Sequence, residues 1–270
     1  MRIAVLGLGE AGSIYAADLA GRGATVTATD PRAESAPSGV RLAPSVGEAV
    51  DGAELILSLV TGHAAQEALA AALPAMDGTG IFADMNTASP EEKRRLSLRA
   101  AASGIPFGDV AILAPVPRAR IDTPLIVSGA AEAAITDRLS ALGIPTTGVG
   151  PEAGVAAGLK LLRSVFMKGL AATVLEAATA AEAIGAREWV LGQIASELGP
   201  SGEALVEHLL ESTQRHAVRR AAEMRATRSF LDSLGASRPM TDGTIEWLER
   251  LSDKGLQTPS NIVDNLVSDP

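Results

Sequence analysis

Residues 2–12 read RIAVLGLGEAG, and this stretch decides the fold. Arg2–Leu6 is a short, apolar, β-branched run typical of a buried parallel strand, and Ser13–Leu19 is typical of a helix. Between them stands a GxGxxG turn in the strand–turn–helix setting that places a pyrophosphate on the first amides of the helix. We therefore predict that this turn binds a dinucleotide cofactor through Gly7, Leu8, Gly9, Glu10, Ala11 and Gly12.

A second strand pattern, residues 23–29, ends at Asp30. An acidic residue about 20 positions beyond the glycines accepts a hydrogen bond from the ribose 2′-hydroxyl in this kind of site. Asp30 would repel a 2′-phosphate, so the sequence favours NAD over NADP, although Arg32 keeps NADP possible. The alternative is a glycine-rich turn in another doubly wound fold.

Strand and helix patterns alternate through the first 150 residues, and only helix patterns follow Gly150-Pro151. This predicts an α/β domain, residues 1–150, with a Rossmann-type doubly wound parallel sheet, followed by an all-α domain, residues 151–270, for substrate and dimerisation. Further strands are expected at 54–60, 80–83, 105–110, 125–128 and 146–149, and helices at 46–50, 63–73, 89–103 and 132–142.

Ligands bind at the carboxyl ends of the strands in such sheets. Val60 and Thr61 follow one strand and are expected to line the cofactor groove, although a plain strand-end turn explains them as well. Asn86 and Thr87 follow another strand and are expected to contact substrate or nicotinamide. The alternative is a loop before the helix that Ser89 caps.

Residues 154–185 form a long run rich in Ala and Leu and without Pro, which predicts a helix buried on nearly every side. Lys160, Ser164 and Lys168 recur every four residues and form one stripe of that helix. A buried ammonium is unfavourable without a partner or a function. The alternative is that the lysine stems run out to water.

Composition excludes several classes of function. The net charge of −9 and the pI of about 4.9 argue against nucleic acid or an anionic membrane as the partner. The chain has no cysteine and only three scattered histidines, so no metal site is expected. The sequence shows no signal peptide or membrane-spanning run, and a cytoplasmic protein is expected.

Four segments together resemble the β-hydroxyacid dehydrogenase superfamily, the relatives of 6-phosphogluconate and 3-hydroxyisobutyrate dehydrogenases. They are GLGEAG at 7–12, VTG at 60–62, ADMNTASP at 83–90, and GVAAGLK at 154–160. The later KLLRSVFMKGL and RHAVRRAAEM are similar to a sub-branch with a phosphogluconate-dehydrogenase-like C-terminal domain. The resemblance implies hydride transfer between a nicotinamide cofactor and a small hydroxy or carbonyl substrate, with Lys160 as the general acid/base.

The sequence departs from that family at the segment that follows Phe107-Gly108. The family's D-A-P-V-S-G-G turn, which grips the substrate carboxylate, is replaced by DVAILAPVP at 109–117, and Arg163 and Ser164 stand where the family has an asparagine. Ser164, one turn past Lys160, is expected to hydrogen-bond the substrate. The resemblance therefore implies the fold and the redox chemistry but does not specify the substrate.

Two other functions stay open at this point. Imine reductases share the two-domain architecture but generally lack the lysine, and a non-catalytic NAD(H)-binding sensor would explain the altered turn. The helical half is thin and its first helix is apolar all round, so we predict a homodimer built on that helix through the C-terminal domain.

Overall fold

The computed structural model describes residues 1–253 and divides the chain into two compact units. The first is Met1–Lys160, and the second begins at Leu161. The change from one unit to the other falls inside a helix, Val155–Glu182. The predicted domain boundary at 150/151 stays a prediction.

The first unit is built on an eight-stranded sheet with the order β3-β2-β1-β4-β5-β6-β7-β8. Its strands are β1 (Arg2–Leu6), β2 (Thr25–Thr29), β3 (Val40–Leu42), β4 (Leu55–Ser58), β5 (Ile81–Asp84), β6 (Phe107–Ile112), β7 (Leu125–Ser128) and β8 (Thr146–Gly148). Its helices are α1 (Glu10–Gly21), α2 (Val46–Val50), α3 (Ala65–Ala72), α4 (Pro90–Ala102), α5 (Val116–Ala119) and α6 (Glu132–Ala141). The Rossmann-type α/β architecture is confirmed.

Two features of the sheet differ from the sequence-based expectation. β3 was not predicted, because a three-residue edge strand is too short to show a hydrophobic period. β7 runs antiparallel to β6, whereas every other neighbouring pair is parallel. The connection between them holds only α5 and a 3-10 turn, Arg120–Asp122, and so lacks the crossover helix that joins parallel strands.

The strands of the sheet alternate their side chains between two apolar cores. Ile3 and Val5 of β1 belong to the core that contains Tyr15 of α1. Ala4 and Leu6 belong to the opposite core, together with the buried residues of α2, α3 and α4. Helices thus cover both faces of the sheet, and its carboxyl edge is left for ligands.

The second unit is helical. The long helix α7 (Val155–Glu182) is followed by α8 (Arg187–Glu197), α9 (Gly202–Arg215), α10 (Ala217–Ser233) and α11 (Pro239–Asp253). One small core joins α7, α8 and α9, and another joins α10 and α11. Within this one chain α7 leaves Leu162 and Phe166 exposed, on a helix for which the sequence predicts burial on nearly every side. Within residues 1–253 no helix is both long and apolar enough to cross a bilayer.

Candidate cofactor and substrate site

The glycine turn after β1 has the space that a bound pyrophosphate requires. Gly7 has a φ of +96°, and a Cβ there would lie 2.5 Å from the Leu59 carbonyl oxygen. A Cβ on Gly12 would collide with the Gly7 carbonyl, so α1 packs against the turn only because residue 12 is glycine. In contrast, nothing lies within 4 Å of a Cβ position on Gly9. Gly9 is the N-cap residue of α1 and has no side chain that could accept hydrogen bonds from the start of the helix. The first backbone N–H groups of α1 can therefore donate to an anion.

The carboxylate of Asp30 lies directly beside this turn. Its Oδ2 accepts a hydrogen bond from the Leu8 backbone N–H at 2.9 Å, and its Oδ1 accepts one from the Arg32 N–H at 2.8 Å. Burial raises the pKa of Asp30, but these two N–H groups and the Arg32 charge outweigh that effect, so the net pKa is lowered. The carboxylate is therefore ionised and fixed at the end of β2, where a ribose hydroxyl would donate to it. Arg32 itself is 85% exposed.

The loops that follow β4 and β5 pack against each other beside the same turn. The Val60 side chain lies near Gly7, and Thr61 directly precedes a 3-10 turn, Gly62–Ala64. A Cβ on Gly62 would lie 2.8 Å from the Thr87 carbonyl oxygen, so the two loops approach closely. β1 and β4 are adjacent strands at which the chain order reverses, and ligands bind at such switch points.

Asn86 is held in a fixed orientation within this edge. Its amide nitrogen donates to Ser58 Oγ at 2.9 Å and to a carboxylate oxygen of Asp84. Its Oδ1 is buried and accepts no hydrogen bond from any described residue. A buried amide oxygen without a donor is unfavourable, so this atom is a candidate acceptor for a ligand group.

Lys160 reaches the loop after β5. Its ammonium donates to the exposed Thr87 Oγ1 at 3.2 Å. Lys160 is half-buried and lies near the start of α7. The structure thus brings together, in one unit, the glycine turn, Asp30, the loop at 60–61, Asn86, Thr87 and Lys160, which the sequence placed far apart along the chain.

Ser164 and Lys168 belong to the second unit. Ser164 is 5% exposed, and its Oγ accepts a hydrogen bond from the Lys168 ammonium at 3.0 Å. Lys168 also forms an ion pair with Glu223 at 3.2 Å. Burial lowers the pKa of Lys168; Glu223 offsets part of this effect, and the charges of Arg220 and Arg163 add to it.

Sequence reasoning missed two buried polar groups beneath Asn86 at this edge of the sheet. Ser58, the last residue of β4, and Lys93 of α4 are both buried, and both contact this network. Lys93 shares the buried face of α4 with Leu96 and Ala100, at spacings of three and four residues. A lysine on the apolar stripe of a helix was the available signal.

Comparison with known proteins agrees with this geometry. Residues 2–145 match the family described as the NAD binding domain of 6-phosphogluconate dehydrogenase, and residues 181–251 match a domain of unknown function, DUF1932. The solved structure of a conserved hypothetical protein from Sinorhizobium meliloti 1021 is 30% identical, with a TM-score of 0.75, over 95% of this chain and 91% of that one.

Two structures of named enzymes share the fold at lower identity. Mycobacterium tuberculosis 3-hydroxyisobutyrate dehydrogenase, solved with L-serine, has a TM-score of 0.78 at 20% identity and covers 99% of both chains. An imine reductase variant from Myxococcus stipitatus, solved with NAD+, has a TM-score of 0.67 at 21% identity, over 94% of both chains. The first unit is accordingly an NAD-binding domain of the hydroxyacid dehydrogenase-like fold.

Proposed function

This chain belongs to the family of the NAD binding domain of 6-phosphogluconate dehydrogenase, and on that premise we propose that it is a nicotinamide-dependent oxidoreductase. Its substrate is a small hydroxy or carbonyl compound of the β-hydroxyacid class, and Lys160 is the general acid/base. The observation that carries the proposal is the hydrogen bond from Lys160 to Thr87 at the carboxyl edge of the sheet, beside the cofactor turn.

The residues of the first unit fit a dinucleotide cofactor. The open space at Gly9 and the first backbone N–H groups of α1 would hold the pyrophosphate. Asp30 would accept a hydrogen bond from a ribose hydroxyl. The free 2′-hydroxyl of NAD would donate a hydrogen bond to the ionised carboxylate of Asp30, whereas this carboxylate would repel the 2′-phosphate of NADP. NAD is therefore preferred. The exposed Arg32 leaves binding of NADP open to test.

The bound nicotinamide supplies hydride chemistry, and the protein supplies the proton. In the reducing direction negative charge develops on the substrate oxygen, and the Lys160 ammonium donates a proton to it. In the oxidising direction neutral Lys160 accepts the hydroxyl proton. Thr87 accepts a hydrogen bond from the lysine and thereby orients it.

Substrate contacts are proposed for three residues that the sequence also singled out. Thr87 and the unpartnered Oδ1 of Asn86 supply polar atoms at the sheet edge. Ser164 belongs to the second unit, and its proposed contact rests on its place one helical turn beyond Lys160 in the sequence. Asp109 is unsuited to substrate, because it is fully buried and strand β6 runs on to Ile112, where the related family has its carboxylate-gripping turn.

We further propose a homodimer built on α7. Phe166 is 67% exposed on this helix, and Leu162 one turn earlier is also exposed. A large aromatic side chain and a leucine on one helix face are typical of a surface that a second copy covers. Sedimentation at micromolar concentration should show a dimer that Phe166→Glu dissociates, and a monomeric wild-type protein would contradict the proposal.

The function is tested by binding and turnover together. Affinities for NAD(H) and NADP(H) should be measured first, and Asp30→Ala should weaken NAD binding more than NADP binding. NADH absorbance should then be followed with three substrate classes: short β-hydroxyacids, including L-serine, simple carbonyl compounds, and cyclic imines. Turnover with hydroxyacids or carbonyls is expected.

The same panel distinguishes the two rivals. Turnover confined to cyclic imines would identify an imine reductase. The shared fold supports that function, whereas the presence of Lys160 counts against it. Tight NAD(H) binding without turnover on any class would identify a sensor. Absence of nucleotide binding would contradict the whole proposal.

A further inference from the structure

Three buried charged side chains connect the loop after β5 with the first turn of α7. Lys93 of α4 is 1% exposed, and Asp84 and Asp109 are fully buried. The Lys93 ammonium lies 2.7 Å from Asp84 Oδ2 and 3.1 Å from Asp109 Oδ1, and it also donates to the Asp84 carbonyl at 2.8 Å. Together, Lys93, Asp84 and Asp109 are called the charge triad below.

The sheet register explains why the two carboxylates need a cation. Asp84 and Asp109 are direct partners across the parallel pair β5–β6, so their side chains lie side by side. Two adjacent buried carboxylates repel each other, and Lys93 compensates this repulsion. Burial by itself lowers the pKa of Lys93, but the two carboxylates outweigh it and the net pKa is raised. Lys93 is therefore a cation between the two carboxyl groups.

Each carboxylate uses one oxygen for Lys93 and its other oxygen for an element of the proposed site. Asp84 Oδ1 accepts a hydrogen bond from the amide of Asn86, two residues along the loop that continues to Thr87. Asp109 Oδ2 accepts backbone N–H groups from Gly154 at 3.2 Å and Ala157 at 3.0 Å. The side chain of Asp109 thus caps the N-terminus of α7, the helix that carries Lys160.

The start of α7 is held by further close contacts in the same unit. Ser128 Oγ accepts the Ala156 N–H at 3.0 Å and itself donates to Asp109 at 3.3 Å. Gly154 has a φ of +95°, and a Cβ there would lie 2.5 Å from the carbonyl oxygen of Pro90, the first residue of α4. Lys160 follows Ala157 by three residues, within one helical turn.

We propose that the charge triad is a positioning device that fixes Lys160 relative to Asn86 and Thr87. Lys93 and Asp109 are positioning residues: both are buried, and they act through the loop after β5 and the first turn of α7. This inference rests on the proposed function, since it gives the triad a role in that reaction. Misplacement of a reacting group by about 1 Å can lower a rate by about a hundredfold.

The principal test uses Asp109→Asn, which keeps the Lys93–Asp84 pair intact and so preserves a compensated core. Hydrogen exchange of the amides at 154–157 should become faster, whereas exchange in strand β1 should stay as in wild type. With a substrate from the panel above, kcat should fall by about ten- to a hundredfold, and the dissociation constant for NAD should stay unchanged. Arg120→Met is the matched control, because it removes an ion pair to Asp18 in the same unit without touching α7.

Hydrogen exchange at 154–157 and kcat together distinguish failure of this proposal from failure of the proposed function. Unchanged exchange at 154–157 in Asp109→Asn would show that the triad does not hold α7 and would overturn the proposal. Faster exchange with wild-type kcat would overturn the role in the reaction. A wild-type protein without turnover on any substrate class would be a failure of the proposed function instead, and hydrogen exchange would still decide whether the triad holds α7.

Lys93→Met gives a second, stronger perturbation. It leaves the two carboxylates adjacent and uncompensated, so one of them should take up a proton near neutral pH. Exchange at 154–157 should then become pH-dependent in Lys93→Met and stay pH-independent, apart from the intrinsic chemical rate, in Arg120→Met. If Lys93→Met does not fold, Asp109→Asn decides the proposal alone.

Discussion

Lys93 in the first unit and Lys168 in the second are both helix lysines largely removed from water, with side chains 1% and 17% exposed. Lys93 has two carboxylates within 3.1 Å, and its pKa is raised although burial opposes the shift. Lys168 has one carboxylate, Glu223, and its pKa is lowered by burial and by the charges of Arg220 and Arg163. The same residue type is thus compensated in one unit and only partly compensated in the other.

The comparison shows what burial of a lysine does and does not indicate. A raised pKa marks Lys93 as a permanent cation that holds other groups in place. A lowered pKa often marks a functional group, but the lysine that contacts Thr87 in the loop after β5 is Lys160. The assignment of the proton-transfer residue therefore depends on position and not on burial.

Removal of the compensated lysine should have the larger effect on stability. Lys93→Met leaves Asp84 and Asp109 as adjacent buried charges, and loss of one partner of a buried pair typically lowers the free energy of unfolding by about 3–5 kcal/mol. Urea titration should show such a loss. A loss below about 1 kcal/mol would mean that the two carboxylates find another partner and that the contrast with Lys168 is wrong.

Removal of the partly compensated lysine should have a smaller effect. Lys168→Met leaves Glu223 with Arg219 at 4.0 Å, and it removes a cation that burial disfavours. The free energy of unfolding should change by about 1 kcal/mol or less, because the lost ion pair and the relieved desolvation oppose each other. A loss as large as that of Lys93→Met would remove the distinction between the two sites.

Raising the pH should change the contributions of Lys93 and Lys168 to the free energy of unfolding in opposite directions. The folded pKa of Lys93 lies above its unfolded value of about 10.4, so its stabilising contribution is complete below that pH and is lost as pH rises through the folded pKa. The folded pKa of Lys168 lies below its unfolded value, so the unfolded state binds more protons in that window and stability rises with pH there.

The measurement compares each variant with wild type at a series of pH values. The stability difference between wild type and Lys93→Met should decrease as pH rises above about 10.4 and through the folded pKa of Lys93. The difference between wild type and Lys168→Met should instead shift in favour of wild type as pH approaches about 10.4. Shifts of the same sign for both lysines would contradict the comparison.

Much of the first unit was predictable, because its signals are local. The GxGxxG turn, the acid at Asp30 and the alternation of strands and helices each follow from short stretches of sequence. The antiparallel pairing of β7 and the three-residue β3 were not predictable, since they depend on the length of a connection and on a sheet edge. Among the candidate site residues, Asn86 and Thr87 could be picked from their place at a strand end.

The supporting network lay beyond sequence reasoning because its members meet only in three dimensions. Asp84 and Asp109 lie in two different strands, and their partnership with Lys93 depends on the register between β5 and β6 and on the packing of α4. Lys160, Ser164 and Lys168 recur every four residues in the sequence and form one stripe of the predicted helix. In the structure the two lysines have different partners: Lys160 contacts Thr87, and Lys168 contacts Glu223.

The central claim is that Lys160 moves the proton during hydride transfer, and Lys160→Ala tests it most directly. Turnover with the best substrate of the panel should fall by about 10²–10⁴-fold, the range of general acid/base catalysis, while the dissociation constant for NAD stays within about threefold of wild type. Arg120→Met, measured alongside, should retain wild-type turnover. Near-wild-type turnover of Lys160→Ala would contradict the account, and so would a loss explained entirely by weaker NAD binding.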